Sequence, residues 1–181
     1  TSIGNSAFQY ASSLSSVNLG SGITSIASDA FYGTALTSIT IPDSVTSISS
    51  QAFYDTSLTS VTIPDSVTSI DSSAFMNASS LSSVTFGSGL TYIGSSAFQN
   101  ASSLTSVTIP DSVTSISDST FRGASSLTSV IFGSGLKTIG SRAFQQTALT
   151  SLVIPDSVTT IGSNAFVDLT SLTSLKLGSG I

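Results

Sequence analysis

Few side chains in this sequence are equipped for chemistry, and the most regularly spaced of them are aspartates. Asp43 and Asp65 occupy the same position of a Pro-Asp-Ser segment in neighbouring repeats. Carboxylates about one strand spacing apart, roughly 4.8 Å, would suit a shared Ca²⁺ or the acid pair of a glycosidase. Asp111 and Asp156 occupy this position without a neighbouring carboxylate, and shallow turns provide no means of raising one pKa. We therefore favour a turn-forming role for these aspartates and predict no metal and no other cofactor.

Composition excludes most other catalytic mechanisms. The 181 residues include no His, no Cys and no Trp, so His-dependent triads, thiol nucleophiles and His or Cys metal sites are unavailable. Nine acidic residues outnumber four basic ones, which gives a net charge of −5. A nucleic-acid-binding protein needs a basic face, and this chain lacks one. We predict a protein that is not an enzyme and does not bind nucleic acid.

The length suits a single domain, residues 1–181, and a hydrophobic content of 39% is enough for a core. No apolar run approaches the roughly 18 residues of a transmembrane helix, so we predict no membrane insertion. The sequence begins at Thr1 and stops at Ile181 within a repeating pattern. We therefore expect it to be a piece of a longer protein whose targeting signals lie outside it.

A repeat of 22 or 23 residues fills the chain, and its clearest marker is one phenylalanine per copy. Columns of leucine, isoleucine and valine follow the same period, so several positions agree at once. A repeat of this kind predicts a solenoid in which each copy forms one coil. The eight copies are marked by Phe8, Phe31, Phe53, Phe75, Phe98, Phe121, Phe144 and Phe166.

Each copy contains the pattern L-x-x-V-x-I, whose final step of two residues is the periodicity of a β-strand. In the third copy, Val61 and Ile63 should face inward and Thr62 outward. A second short extended segment, such as Val45 to Ile48, leads towards the next phenylalanine. Between the two lies one of two turn segments. Gly-Ser-Gly starts at Gly20, Gly87, Gly133 and Gly178, and Pro-Asp-Ser at Pro42, Pro64, Pro110 and Pro155.

These features predict a mainly β solenoid of about eight coils with a parallel sheet. Few or no helices are expected, because no copy holds a helix-length amphipathic pattern. Eight strands at about 4.8 Å would span roughly 34 Å along the sheet. Like side chains should lie over like side chains, so that stability becomes a sum of nearest-neighbour interfaces.

The unit L-T-S-V-T-I-P-D-S-V-T-S-I-x-x-x-A-F resembles the BspA-like class of leucine-rich repeats over essentially the whole chain. The resemblance implies a leucine-rich repeat solenoid with paired short strands. Common leucine-rich repeats carry Asn or Cys after the strand, which supports a ladder of side-chain amides. We expect serine hydroxyl bonds instead, since this chain has Ser or Gly there, including Ser44, Ser66, Ser112 and Ser157.

The resemblance also implies a non-enzymatic protein-binding or adhesion module that is secreted or exposed on a cell surface. Its partner would be a protein or a glycan, and no binding residue is transferable because the family has no fixed ligand motif. Fold does not determine function, so two alternatives stay open. They are a passive structural spacer and a lattice of Ser and Thr rows that binds ice or mineral.

An outward row of hydroxyls on the strands is the first candidate binding surface, although solvation of a β-sheet by Ser and Thr also explains it. Near the C-terminal end, Ile131, Val153 and Lys176 take the place of threonine in this row. Lys137 similarly interrupts a second ladder that otherwise holds threonine. The hydroxyl row comprises Ser38, Thr40, Ser60, Thr62, Ser83, Thr85, Ser106 and Thr108.

Tyrosines form a second candidate surface. Tyr10, Tyr32 and Tyr54 come one or two residues after the phenylalanine of adjacent copies. Three aligned tyrosines would make a recognition strip, because Tyr is enriched at binding hot spots; packing of the loop is the alternative. Asn77 and Asn100 begin Asn-Ala-Ser sequons at equivalent positions of the connectors in two adjacent copies, and they mark these connectors as surface.

Charge is divided unevenly along the chain. Residues 1–121 contain seven Asp and no base, whereas residues 122–181 contain two Asp and all four basic residues, so the two parts carry −7 and +2. Opposite charge combined with apolar ends predicts end-to-end self-association. The alternative is that further repeats would cover the same ends.

Overall fold

A computed structural model of the chain describes residues 2–181. The backbone winds into a β-solenoid in which successive windings add short parallel strands, and this range contains no helix. Accordingly, residues 2–181 include no helix that is long and apolar enough to cross a membrane. The predicted mainly β solenoid with a parallel sheet is confirmed.

One continuous parallel sheet runs along the solenoid, with one strand from each winding. It is built from the segment after the turn, where an isoleucine faces the core. The register pairs like with like, for example Ile26 with Ile48 and Ile48 with Ile70. In order, the strands are β1 (Ser25–Ile26), β2 (Ser47–Ile48), β4 (Ser69–Ile70), β6 (Tyr92–Ile93), β8 (Ser115–Ile116), β10 (Thr138–Ile139) and β12 (Thr160–Ile161).

The L-x-x-V-x-I segments form the remaining strands, and these pair only two at a time. We call the side of the solenoid that they form the paired-strand face. The continuous sheet therefore comes from the second extended segment and not from the more strongly patterned first one. The pairs are β3 (Ser60–Thr62) with β5 (Ser83–Thr85), β7 (Ser106–Thr108) with β9 (Ser129–Ile131), and β11 (Ser151–Val153) with β13 (Ser174–Lys176).

The eight sequence copies make seven full windings. The continuous sheet has seven strands, because the eighth copy adds β13 and a Gly-Ser-Gly turn without a second strand. The predicted count of about eight coils is corrected to seven windings and this added strand.

The phenylalanine column forms the centre of the core. Every neighbouring pair of rings stacks with centroids 5.1–5.6 Å apart and planes inclined by 4–16°. Offset stacking of this kind adds to the free energy gained by burying the rings. The fully buried members are Phe31, Phe53, Phe75, Phe98, Phe121 and Phe144.

Each phenylalanine lies in a tight turn whose backbone is left-handed two residues before and two residues after it. Around Phe53 these residues are Gln51 and Asp55, with φ of 57° and 53°. A left-handed conformation costs about 1–2 kcal/mol for a residue other than glycine. Hydrogen bonds offset this cost, because the amides of Gln51, Phe53 and Asp55 donate to carbonyls of the following winding at 2.8–3.1 Å. The sequence pattern indicated a connector here but not this conformation.

Truncation of an inner phenylalanine should destabilise the solenoid strongly. Phe98 is fully buried, whereas Phe8 in the first copy is 43% exposed. We expect Phe98→Ala to lower the free energy of unfolding by about 3–5 kcal/mol, and Phe8→Ala to lower it far less. Denaturant titration of both variants measures the difference. Equal losses would contradict an array stabilised by burial between neighbouring windings.

Candidate functional site

The paired-strand face presents the predicted hydroxyl row to solvent. Ser60 and Thr62 are exposed on either side of the buried Val61 in β3, and β5 and β7 repeat this arrangement. Ser38 and Thr40 are exposed in the preceding winding. The side-chain hydroxyl bonds found within residues 2–181 involve other serines and threonines, so all eight predicted hydroxyls are available to a ligand.

Closed and open boundaries alternate along this face from β3 to β13. Within each strand pair, the isoleucine after the first strand donates its amide to the second strand at 2.8 Å. Among the described residues, no such bond joins β5 to β7 or β9 to β11. The three closing bonds run from Ile63 N to Thr85 O, from Ile109 N to Ile131 O, and from Ile154 N to Lys176 O.

The alternation of the two turn types explains these boundaries. A boundary is closed where a Pro-Asp-Ser turn is followed by a Gly-Ser-Gly turn in the next winding. There, Asp65 Oδ1 accepts hydrogen bonds from Ser88 N at 2.6 Å and from Ser88 Oγ at 3.0 Å. We call this interaction the aspartate clasp. It recurs between Asp111 and Ser134 at the same distances, and between Asp156 Oδ1 and Ser179 N at 2.8 Å.

The aspartate clasp favours the ionised carboxylate. The backbone hydrogen bond from Ser134 is the largest of the causes that hold the pKa of Asp111 below its ordinary value, followed by the bond from the Ser134 hydroxyl. The bond from the backbone of Ser179 likewise lowers the pKa of Asp156. The clasp therefore works at neutral pH as a charge-assisted hydrogen bond between windings.

Glycine allows the second turn to nest against the first. A Cβ on Gly87 would lie 2.5 Å from the carbonyl carbon of Pro64, closer than atoms can approach. Where a Gly-Ser-Gly turn is followed by Pro-Asp-Ser, no aspartate reaches forward, and a proline ring stands in the place of the glycine. The strands consequently part at these boundaries.

The serine of the Pro-Asp-Ser turn bonds in the opposite direction, to the preceding winding. At three of the four positions these bonds confirm the expectation that serine hydroxyls replace the ladder of side-chain amides. At the fourth, the buried Ser157 Oγ has no hydrogen-bond partner within residues 2–181. The bonds run from Ser44 Oγ to Ile23 O and from Ser66 Oγ to Val45 O, both at 2.7 Å, and from Ser112 Oγ to Leu90 O.

Two clefts lie on the paired-strand face. A cleft of about 470 Å³ separates β5 from β7, and Thr85, Ser106 and Thr108 are among its lining residues. A second, of about 540 Å³, extends over the windings of Thr40, Thr62 and Thr85, and so crosses the closed boundary between β3 and β5. Of the eight predicted hydroxyl residues, only Ser83 lines neither cleft.

The two lysines predicted as binding residues lie in different sheets. Lys176 ends β13 on the paired-strand face and is the register partner of Val153. Lys137 directly precedes β10 of the seven-stranded sheet. Other positions of its ladder hold threonines, of which Thr46 and Thr68 donate their hydroxyls to carbonyls of the preceding winding. The structure therefore does not bring Lys137 and Lys176 onto one face.

The predicted tyrosine strip exists, but two of its rings stack on one another. Tyr32 and Tyr54 lie 4.5 Å apart and nearly parallel, and Tyr10 meets Tyr32 edge-on at 5.1 Å. Asn77 Nδ2 donates to Tyr54 OH at 3.0 Å, and Asn100 Nδ2 donates to Asn77 Oδ1 at 3.0 Å. Burial, with a further contribution from Tyr10, raises the pKa of Tyr32 to about 12. Loop packing thus occupies most of the strip, and Tyr10 is 66% exposed.

The aspartates of the Pro-Asp-Ser turns act as structural residues. The carboxylate of Asp65 is held by Ser88, whereas Asp43 makes no such bond because the next winding carries Pro64 in place of a Gly-Ser-Gly turn. Residues 2–181 contain no group of three or more acidic side chains that would hold a metal ion. The sequence predicted that each of these aspartates completes its own turn, whereas the carboxylates of Asp65, Asp111 and Asp156 instead accept hydrogen bonds from serines of the following winding.

A parallel β-solenoid with one leucine-bearing strand segment in each 22- or 23-residue copy defines the leucine-rich repeat class. The family described as BspA type leucine rich repeat region matches six copies, over residues 1–121 and 93–181. The chain belongs to this BspA-type leucine-rich repeat family, which confirms the resemblance seen in its sequence.

Solved structures of bacterial leucine-rich repeat proteins resemble this chain. A protein from Bacteroides ovatus is 24% identical with a TM-score of 0.85, covering 99% of this chain and 59% of its own. One from Eubacterium ventriosum is 26% identical with a TM-score of 0.60, covering 98% and 57%. A leucine-rich cell surface protein from Faecalibacterium prausnitzii is 36% identical with a TM-score of 0.57, covering 74% and 43%.

The chain spans 59%, 57% and 43% of the lengths of these three relatives. No curated protein matches it. Together, the family and the fold establish a repeat scaffold of the kind that bacterial leucine-rich repeat proteins share.

Two glycines of the same turn motif should respond differently to substitution. A Cβ on Gly87 would collide with the backbone of Pro64, whereas a Cβ on Gly20 would meet nothing within 4 Å. We expect Gly87→Ala to lower the free energy of unfolding by about 1–3 kcal/mol and Gly20→Ala to change it little. Denaturant titration measures both values. A similar response at the two sites would mean that turn nesting is not what requires glycine.

Acid should weaken the solenoid through the aspartate clasp. Because the pKa values of Asp111 and Asp156 are lowered in the folded state, their contribution to stability is present above the ordinary aspartate pKa of 3.8 and is lost as the pH falls through the lower folded-state values. We expect the melting temperature to stay level from pH 7 to about pH 5 and to fall below about pH 4.

A pair of variants isolates the aspartate clasp from the general effect of acid. Asp111→Ala should lower the melting temperature at pH 7 by several degrees and reduce its fall in acid. Asp43→Ala removes a carboxylate at the same turn position that makes no hydrogen bond, and should change neither. Melting curves followed by circular dichroism between pH 2 and pH 7 measure both effects. The clasp has no energetic role if the two variants behave alike.

Proposed function

We propose that this chain is a non-enzymatic binding module that engages a partner protein through the paired-strand face. The observation that carries the proposal is the row of eight free hydroxyls, seven of which line the two clefts of this face. Ligand sites are concave and combine apolar walls with a few polar groups that fix orientation. The clefts have this character, since Phe86 and Val107 line the first of them beside Thr85 and Thr108.

The rigidity of the scaffold supports this function. Side chains of the hydroxyl row alternate along each strand with buried residues such as Val61 and Val84, which are 3% and 8% exposed. The packing of these buried residues in the core fixes the strand backbone that carries the hydroxyls. A preorganised surface loses little conformational entropy on binding. The hydroxyls are thus held at fixed positions that a partner can match.

We propose further that the module acts in adhesion at a cell surface or in secreted form. Support comes from the relative in Faecalibacterium prausnitzii, a leucine-rich cell surface protein that is 36% identical over 74% of this chain. The apolar residues that line the clefts, such as Phe86 and Val107, favour a protein partner over a glycan.

The other functions compatible with the sequence have less support. A lattice for ice or mineral needs an even array, whereas open boundaries divide the hydroxyl row into separate pairs of strands. A passive spacer leaves the free hydroxyls and clefts without a role. End-to-end self-association stays a prediction that rests on the charges of −7 and +2 in the two parts of the chain.

Two arginine substitutions in the same winding test the binding face. Thr108 and Thr114 are both exposed, but Thr108 lines a cleft of the paired-strand face and Thr114 precedes β8 of the seven-stranded sheet. The intact protein and both variants are applied to an array of purified matrix proteins and glycans. We expect a protein ligand that Thr108→Arg releases and Thr114→Arg retains. If only Thr114→Arg abolishes binding, the binding surface is the seven-stranded sheet. If no protein or glycan on the array binds the intact protein, the passive spacer is favoured.

A further inference from the structure

Two equivalent open boundaries on the paired-strand face carry different side chains. Thr85 and Thr108 flank the boundary between β5 and β7, and Ile131 and Val153 flank the boundary between β9 and β11. The two boundaries arise in the same way, from a Gly-Ser-Gly winding followed by a Pro-Asp-Ser winding. The outward residue that ends each flanking strand is thus threonine at the first boundary and aliphatic at the second.

Packing does not require aliphatic residues at the second boundary. Ile131 is 60% exposed and Val153 is 58% exposed. Threonine occupies the equivalent outward positions at Thr62, Thr85 and Thr108, so the fold accepts a hydroxyl there. Two exposed aliphatic side chains on adjacent windings instead provide a small apolar surface of the kind that partners bury.

A positive charge lies next to this apolar pair. Lys176 is the register partner of Val153 across the closed boundary between β11 and β13. In the described part of the chain, Lys176 is the one basic residue in the strands of the paired-strand face, because Lys137 precedes a strand of the seven-stranded sheet, so an anionic group is favoured at this position. The three residues Ile131, Val153 and Lys176 together form what we call the apolar-basic patch.

The distance between the two open boundaries restricts the shape of a ligand. They lie two windings apart, which is roughly 10 Å at the ordinary spacing of strands. In a segment with polyproline II conformation, residues i and i+3 lie on the same side and are separated by about 9 Å. A segment lying along the solenoid axis can therefore place one side chain over each boundary.

We propose that the apolar-basic patch is the recognition site for an extended segment of the partner protein. In that segment an aliphatic side chain binds between Ile131 and Val153, and the acidic residue that follows it pairs with Lys176. A polar residue three positions before the aliphatic one lies over Thr85 and Thr108. This inference deepens the proposed function and rests on it, since it names the chemistry of the partner at the same face.

Titration with a designed peptide tests the site directly. The probe is the blocked peptide Ac-Ser-Gly-Ser-Leu-Asp-Gly-Ser-NH₂, added to isotopically labelled protein and followed by amide chemical shifts. Matched peptides replace Leu by Ser or Asp by Lys. We expect the shifts to change around Ile131, Val153 and Lys176, and each control peptide to bind about tenfold more weakly or worse.

Variants taken from the repeat itself keep the fold constant. The double change Ile131→Thr with Val153→Thr restores the residue type of the other windings and should weaken the peptide about tenfold or more. Lys176→Thr should weaken the probe peptide but not the Asp-to-Lys peptide, because it removes the repulsion between Lys176 and the lysine of that peptide. The reciprocal change Thr85→Ile with Thr108→Val should create a second set of shift changes at the first boundary.

Several outcomes would overturn the inference. They are equal affinity for the three peptides, unchanged affinity in the double threonine variant, and shift changes confined to the seven-stranded sheet. None of these would remove the proposed function, which depends on the effect of Thr108→Arg with whole proteins. Conversely, if Thr108→Arg has no effect on binding of whole proteins but the peptide still binds, the peptide result supports the apolar-basic patch alone.

Discussion

Backbone amides around each buried phenylalanine donate to carbonyls of the following winding, and these hydrogen bonds keep the windings in register. Register is what places each ring on the next at 5.1–5.6 Å and each isoleucine of the seven-stranded sheet beside its counterpart. It also maintains left-handed backbone at non-glycine residues, which would otherwise be unfavourable. Since every winding contacts only its neighbours, a change of residue in one turn acts directly on the adjacent windings.

From β3 onwards, the two turn types divide this uniform array into units of two windings. A carboxylate reaches forward from Pro-Asp-Ser to Gly-Ser-Gly and closes the boundary, and a glycine without a side chain lets the turns nest. The next boundary receives neither contribution and remains open. The paired-strand face is consequently a row of closed pairs with gaps between them, whereas the other sheet runs without interruption.

This division separates the residues that maintain the fold from those that are free to bind. Buried columns and turns carry the stability, so the outward positions of the strands tolerate different chemistry in different windings. The change from Thr85 and Thr108 to Ile131 and Val153 occurs at positions of this kind. A repeat scaffold can in this way present distinct chemistry at regular intervals while its core stays the same, which suits a binding surface better than an active site.

The amino-acid sequence by itself determined the solenoid, the inward columns, the exposed hydroxyl row and the family. Each of these follows from the type of residue at a repeated position, because the same environment recurs in every winding. The tertiary structure decided which extended segments form the continuous sheet, where the paired-strand face opens, and that Lys137 and Lys176 lie in different sheets. It also showed that Tyr32 and Tyr54 are committed to stacking. Such features depend on contacts between one winding and the next, which the period of the pattern does not specify.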